Sequence, residues 1–167
     1  MNLKKWNAKA ILIEIVKLLV LLFILSNIMS YLRQPELDSI HLPKIDAQLL
    51  DGNIFTVEEG KPLVLHFWAT WCPTCKVEAA NIESVSKNYN VLTIAVSSGS
   101  DEKVEAYMQE HELTFKVLND TEGMWAKQFK VEAYPTTFIY DAKGELRFTE
   151  VGYTTTAGLL GRVKLAE

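Results

Sequence analysis

Behind the turn residues Glu59-Gly60-Lys61-Pro62 comes Leu63-Val64-Leu65-His66-Phe67-Trp68, an apolar run of six, and then both cysteines of the chain, Cys72 and Cys75. A short apolar run bounded by turns suits a strand buried on both faces of a mostly parallel sheet, because helices must cover such a sheet from either side. The run therefore demands flanking layers, and the downstream pattern supplies them. Residues 76–87 read as a helix, 91–96 as a buried strand, 101–111 as a helix capped by Ser100, 115–118 as a strand and 123–129 as a short helix. Residues 136–140 and 146–151 follow as strands joined at Lys143-Gly144, and 155–166 closes as a helix. Upstream, Asp51-Gly52 stands between apolar residues in the stretch 49–55, a strong hairpin pattern. A helix–strand alternation ending in a hairpin predicts an α/β fold with a central mixed sheet flanked by helices.

The start of the chain is a different material. After Lys4, Lys5 and Lys9 comes AILIEIVKLLVLLFILSNIM, residues 10–29, long enough for a helix across a hydrocarbon core of about 30 Å. The lysines precede it and only Arg33 follows closely, so the positive-inside rule places the N-terminus in the cytoplasm and the body in the periplasm or outside the cell. The expected organisation is a cytoplasmic N-terminus and transmembrane anchor over 1–32, a linker over 33–44 (RQPELDSIHLPK) and one domain over 45–167. The anchor would be single-pass in a bacterial inner membrane. A cleaved signal peptide is the competing reading. The 26–31 region, SNIMSY, offers it no A-x-A-like cleavage site, and no cysteine near the helix end suits a lipoprotein. Glu14 and Lys17 interrupt the apolar run three residues apart and share one helix face. They either pair near the cytoplasmic interface or make a polar contact with an integral membrane redox partner.

Charge narrows the partners. Residues 1–32 carry +3 and residues 33–167 carry −7, which together make the net −4. A mildly acidic body presents no basic stripe for phosphate backbones, so nucleic acid is set aside.

The two cysteines then carry the chemistry. Structural zinc takes four ligands, and only His41, His66 and His111 could join a single C-x-x-C, so no metal is expected. A disulfide closing a two-residue loop removes little chain entropy, which favours a redox role over a structural one. If a helix starts at the motif, Cys72 takes the N-cap, Pro73 the first helical position and Cys75 the following turn. The unpaired N–H groups and the helix dipole favour a thiolate at Cys72, making it the nucleophile. Cys75, one turn inward, is placed to resolve a mixed disulfide.

The stretch FWATWCPTC behind an apolar strand, with Tyr134-Pro135-Thr136-Thr137 some sixty residues later, resembles the thioredoxin superfamily. The Asp-Gly turn before the strand and the extra helix and strand between 96 and 123 resemble its membrane-anchored TlpA, ResA and CcmG branch. The short anchor and the CP-x-C form are most similar to ScsD-like proteins linked to copper tolerance. The resemblance covers about residues 45–165. It implies a thioredoxin-like fold, protein thiol and disulfide substrates, periplasmic redox homeostasis and no cofactor. Cys72 and Cys75 match the redox pair with Pro73 and Thr74 between them, Trp71 the flanking tryptophan, and Pro135 the cis-proline facing the pair. A cis bond there would turn the backbone of Tyr134 toward an incoming chain. Glu78 matches a glutamate that tunes thiol ionisation in the ResA-like branch, or is an ordinary solvated helix residue. Three positions depart from the pattern. His66 stands where thioredoxin has a buried Asp, and is either a proton shuttle for Cys75 or a core histidine. Ala80 replaces the proline that usually kinks the helix, and Tyr134 is bulkier than the usual residue. Trp68 and Trp125 read as core. Two other uses of the same cysteines stay open: a Cu(I)-binding chaperone, since soft thiolates suit that ion, and a redox sensor.

Overall fold

All six side chains of β1, Leu63–Trp68, are buried. They are the centre from which the computed structural model, which describes residues 8–167, is assembled. Lys4 and Lys5 lie outside the described residues. The chain forms two compact units, with the boundary between Arg33 and Gln34. In the first, α1 runs Ala8–Leu32, 25 residues whose described side chains are almost all exposed and mostly apolar. At 1.5 Å per residue it is about 37 Å long, a candidate membrane span. Lys17 Nζ donates to Glu14 Oε1 at 2.9 Å on its surface, so this pair is satisfied within the helix.

The second unit follows the order β1, α2 (Pro73–Ser86), β2 (Asn90–Val96), α3 (Asp101–Glu110), β3 (Lys116–Asp120), α4 (Met124–Gln128), β4 (Thr136–Tyr140), β5 (Leu146–Val151) and α5 (Thr156–Leu165). The sheet order is β3-β2-β1-β4-β5. β1 pairs parallel with β2, with His66 opposite Thr93, and antiparallel with β4, with His66 opposite Thr137. β2 and β3 are parallel, β4 and β5 antiparallel. This is the mixed sheet of a thioredoxin-like fold.

Strand alternation sorts the apolar residues into two cores. Val64, Trp68, Val91, Ala95 and Ile139 face α2, α3 and α5, meeting Ile82, Val85, Val104, Leu159 and Val163. Leu65, Phe67, Leu92, Ile94 and Phe138 face the other way, toward α4 and the chain before β1, meeting Ile45, Leu49, Phe55, Ala126 and Phe129. Trp68 and Trp125 both sit in these cores, Trp68 fully and Trp125 partly.

Three local expectations change. The Asp51-Gly52 turn forms, with Gly52 at φ +82° and Leu49 N–H donating to Asn53 O at 2.8 Å, yet the predicted hairpin shrinks to a single bridge, Gln48 to Ile54. Beyond it Phe55 N–H still donates to Ala47 O at 3.0 Å, and Leu50, inside the turn, gives its N–H to Val117 O of β3 at 2.9 Å. Ser100 occupies the N-cap of α3 but makes no capping bond, its side chain being engaged with Glu102. β3 starts at Lys116 because Glu83 of α2 takes the N–H groups of Thr114 and Phe115, at 2.7 and 3.2 Å, and the Thr114 hydroxyl at 2.6 Å.

The stretch read as a linker is, from Gln34 on, part of the second unit. Leu146 N–H donates to Ile40 O at 2.7 Å, Leu42 N–H to Gly144 O at 2.8 Å, and Gln34 Nε2 to Thr149 O at 2.6 Å. It thereby covers the outer edge of β5, which would otherwise present unpaired backbone groups.

Phe67 sits at the densest point of the second core, its ring centroid 5.2 Å from Phe129 and 5.8 Å from Phe138. Phe67→Ala is expected to cost about 3–5 kcal/mol, because the cavity cannot collapse between two aromatic neighbours. Urea denaturation followed by tryptophan fluorescence measures it, and a cost below about 1 kcal/mol would contradict this packing.

Candidate active site

The site lies where β1 ends and α2 begins, at the carboxyl ends of the parallel strands, where the strand order turns about β1. Four residues cross that gap. Cys72 N–H donates to Ala69 O at 3.1 Å, and Thr70 N–H to Ser98 Oγ at 3.0 Å. Trp71 stays 59% exposed while its indole N–H donates to Ser97 O at 3.2 Å. Cys72 then takes the N-cap of α2 with extended backbone, and Pro73 takes the first turn. The missing N–H of Pro73 costs nothing there. Pro73 and Thr74 are exposed.

Cys72 and Cys75 form a disulfide across this first turn, their Cα atoms 5.3 Å apart. Both are buried. Cys75 N–H donates to Cys72 Sγ at 3.1 Å, so an orphan amide of the helix start is aimed at that sulfur. A donor aimed at a sulfur, together with the positive helix end, is the arrangement that stabilises a thiolate.

Tyr134–Pro135 is a cis peptide bond, and Tyr134 O lies 3.6 Å from Cys72 Sγ. The ring of Tyr134 stands edge-on to Trp71, centroids 5.6 Å apart. Pro135 is buried, Tyr134 partly so. Two aromatic walls thus flank the sulfur, and a carbonyl oxygen faces it.

Glu78 follows Cys75 by three residues and so shares its helix face. It is fully buried, and α2 runs unbroken through Ala80 beyond it. Its Oε1 accepts Thr154 N–H at 2.8 Å, while Oε2 is buried with no partner among the described residues. Burial pushes its pKa up to about 8, and the negative charge of Glu150 pushes the same way, against the Thr154 hydrogen bond. A carboxyl poised there is neutral over most of the physiological range.

His66 is buried in β1 with Nδ1 2.9 Å from Thr137 Oγ1, and burial alone pushes its pKa down to about 3. An imidazole that stays neutral above about pH 4 is a weak proton acceptor, which favours the core-histidine reading over the shuttle.

Several residues at the site escaped sequence reasoning. Ser97 and Ser98, in the Ser97-Ser98-Gly99-Ser100 loop after β2, anchor Trp71 and Thr70. Their place beyond a buried strand end was a usable cue. Asn81 and Thr154 had none, being brought together across 73 residues.

Comparison with known proteins bears on this geometry. The model of the AhpC/TSA family matches residues 40–149. A thioredoxin-like protein of Haemophilus influenzae is 31% identical over 86% of this chain and 87% of its own length. Sporulation thiol-disulfide oxidoreductase A of Bacillus subtilis is 28% identical over 76% and 79% respectively. Among solved structures, a secreted Mycobacterium tuberculosis disulfide oxidoreductase homologous to Escherichia coli DsbE superposes with a TM-score of 0.63. It is 28% identical, over 71% of this chain and 93% of that one.

The raised pKa of Glu78 sets a pH dependence whose sign is fixed. Between the ordinary value of 4.5 and about 8 the folded chain keeps a proton that the unfolded chain has lost. This contribution to stability is fully present below about pH 4.5 and is lost as pH rises through about 8. The urea midpoint of the oxidised full-length chain in detergent is therefore expected to fall over that window, and Glu78→Gln to flatten the fall. Equal slopes in the two proteins would contradict a buried, neutral Glu78.

Proposed function

Because this chain belongs to the AhpC/TSA family and is a thioredoxin-like thiol-disulfide oxidoreductase, we propose that it exchanges disulfides with protein clients outside the cytoplasm, tethered to the membrane by α1. The observation that carries the mechanism is the aim of Cys75 N–H at Cys72 Sγ from the start of α2. In the reduced chain the Cys72 thiolate attacks one sulfur of a client disulfide. The client S–S bond breaks, a Cys72–client bond forms, and the departing client thiolate takes up a proton. Cys75, its proton released, attacks Cys72 Sγ and closes the Cys72–Cys75 disulfide, so that two electrons leave the chain and the client departs with two thiols. The same steps in reverse oxidise a dithiol client. Tyr134 O, facing the sulfur at 3.6 Å beside the cis bond, offers a backbone acceptor to the client chain and supports binding with little side-chain selectivity. Trp71 supplies an exposed apolar face next to it.

The anchored, outward-facing placement rests on the apolar run of α1 from residue 10 and on Lys4, Lys5 and Lys9, which precede that run with only Arg33 close behind it. The Mycobacterium tuberculosis relative is itself described as secreted. A domain outside the cytoplasm needs its redox pair reset there, and an integral membrane redox partner is the class of protein able to carry electrons across. Periplasmic redox homeostasis is the corresponding role, and copper tolerance is its ScsD-like specialisation.

Insulin, whose disulfides are a general probe, tests the assignment with the full-length chain in detergent. Cys72→Ser is expected to reduce exchange to the uncatalysed rate, and Cys75→Ser to accumulate a mixed disulfide that survives on non-reducing gels. Full activity in either variant would end this reading, and tight one-to-one Cu(I) binding without any exchange would replace it with a copper chaperone. Equilibration of the pair against thiol redox buffers then gives the direction of flow: near or below about −250 mV the chain is a reductant, near or above about −180 mV an oxidant or isomerase.

A further inference from the structure

The loop between β5 and α5 touches both halves of the redox site. At one end Gly152 N–H donates to Pro135 O at 2.8 Å, which ties the loop to the cis-proline segment. Gly152 does so at φ +95°, a conformation that favours glycine. Two residues on, α2 holds both backbone polar groups of Thr154. Glu78 Oε1 accepts its N–H at 2.8 Å, and Asn81 Nδ2 donates to its C=O at 2.9 Å. Asn81 also donates to Tyr153 Oη at 3.2 Å and accepts from the Thr156 hydroxyl at 2.9 Å. One side chain on the helix that carries Cys75 thus engages three residues of the segment that ends on Pro135.

We infer that Asn81 is a positioning residue for disulfide exchange, which clamps the Gly152–Thr156 loop to α2 and so holds the cis-proline segment in register with the redox pair and Thr154 N–H on Glu78. The inference rests on the oxidoreductase reading above and adds to it a residue that touches neither sulfur nor client. Asn81 has two amide protons and an acceptor oxygen, and all three contacts go to this loop. Thr154 is buried, so losing Asn81 leaves its carbonyl short of a donor. The loop gains freedom at the point where it also bonds Glu78. The charge acting on Glu78 is that of Glu150 of β5, paired to Arg162 of α5 with Nε to Oε1 at 2.6 Å, and the titratable group one turn earlier on its own helix is Cys75, once the disulfide is reduced. Of the contacts that act on its ionisation, the Thr154 N–H alone favours the charged form. Loosening Thr154 therefore moves Glu78 further toward neutrality.

The test uses the reduced full-length chain in detergent, with iodoacetamide as a probe of Cys72 between about pH 5 and pH 10. The wild-type profile is expected to contain a step that Glu78→Gln removes. In Asn81→Ala that step moves up by about half a pH unit. Insulin exchange slows several-fold as the cis-proline segment loses its register. Asn81→Leu keeps the size of the side chain but has no N–H for Thr154 O and brings no charge next to Glu78, so it separates the clamp from mere bulk. It is expected to shift the step at least as far as the alanine variant does. Wild-type profiles and insulin rates in both variants would overturn the proposal, as would a wild-type profile without the Glu78 step. Failure of the oxidoreductase reading shows elsewhere, as insulin exchange that survives Cys72→Ser.

Discussion

A strand with six buried side chains must be covered on both faces, and the rest of the domain follows from meeting that demand at β1. Its alternate residues seed two separate cores, one under α2, α3 and α5 and one under α4 and the chain before β1. β1 also has a neighbour on each side, parallel on one and antiparallel on the other. The chain leaving its carboxyl end has one way to go, over the top of the sheet and into α2. The helix start, with its unpaired amides, is consequently set at the sheet's crest beside the turn into β4. The redox chemistry uses what that geometry leaves over: an N–H from the helix on one side of Cys72 and a carbonyl from the cis-proline segment on the other.

What could be read in the sequence was whatever a short-range pattern encodes. The buried strands, the helix beginning at Pro73 and the β4–β5 hairpin each carry their periodicity or turn chemistry within a dozen residues, and each is present. Cys72 and Cys75 could be paired because only two residues separate them. Pro135 was reached by a different route, through the resemblance of Tyr134-Pro135-Thr136-Thr137 to a family motif, since a proline opening a strand carries no mark of a cis bond. The misreadings arose where a distant group competes for a local donor or acceptor. The hairpin around Asp51-Gly52 stays a single bridge, and its turn residue Leu50 gives its N–H to Val117 of β3, far along the chain. The strand expected from residue 115 starts at Lys116, because Glu83 of α2 takes the N–H groups of Thr114 and Phe115 from far back in the chain. Asn81 and Thr154 belong to the same class.

The two buried titratable groups near the site are driven to different states. His66 lies beneath the crest of the sheet, paired with Thr137, and its burial drives the imidazole to the neutral form. It can fill space and satisfy a threonine, but it adds no charge that would bias either sulfur. Glu78 is the reverse case. Burial pushes an acid toward neutrality just as it pushes a base, with Glu150 adding to it, and the Thr154 N–H works against both, which leaves its pKa at about 8.

That difference decides what each contributes when the disulfide opens. In the exchange proposed above, reduction leaves a negative charge at Cys72 and a proton on Cys75, one helical turn before Glu78. A permanently ionised carboxylate there would repel a thiolate, and a permanently neutral one would neither repel it nor take a proton from Cys75. A carboxyl whose pKa lies close to that of a thiol can be neutral while Cys72 carries charge and can accept a proton while Cys75 is losing one. The loop that holds Thr154 against Glu78 also bonds Pro135, so the ionisation of the helix side and the geometry of the client side rest on one short segment. Coupling of this kind needs no moving part. It needs the segment to be held firmly, and Glu78 and Asn81, three residues apart on one face of α2, are the two side chains that hold Thr154 by its backbone.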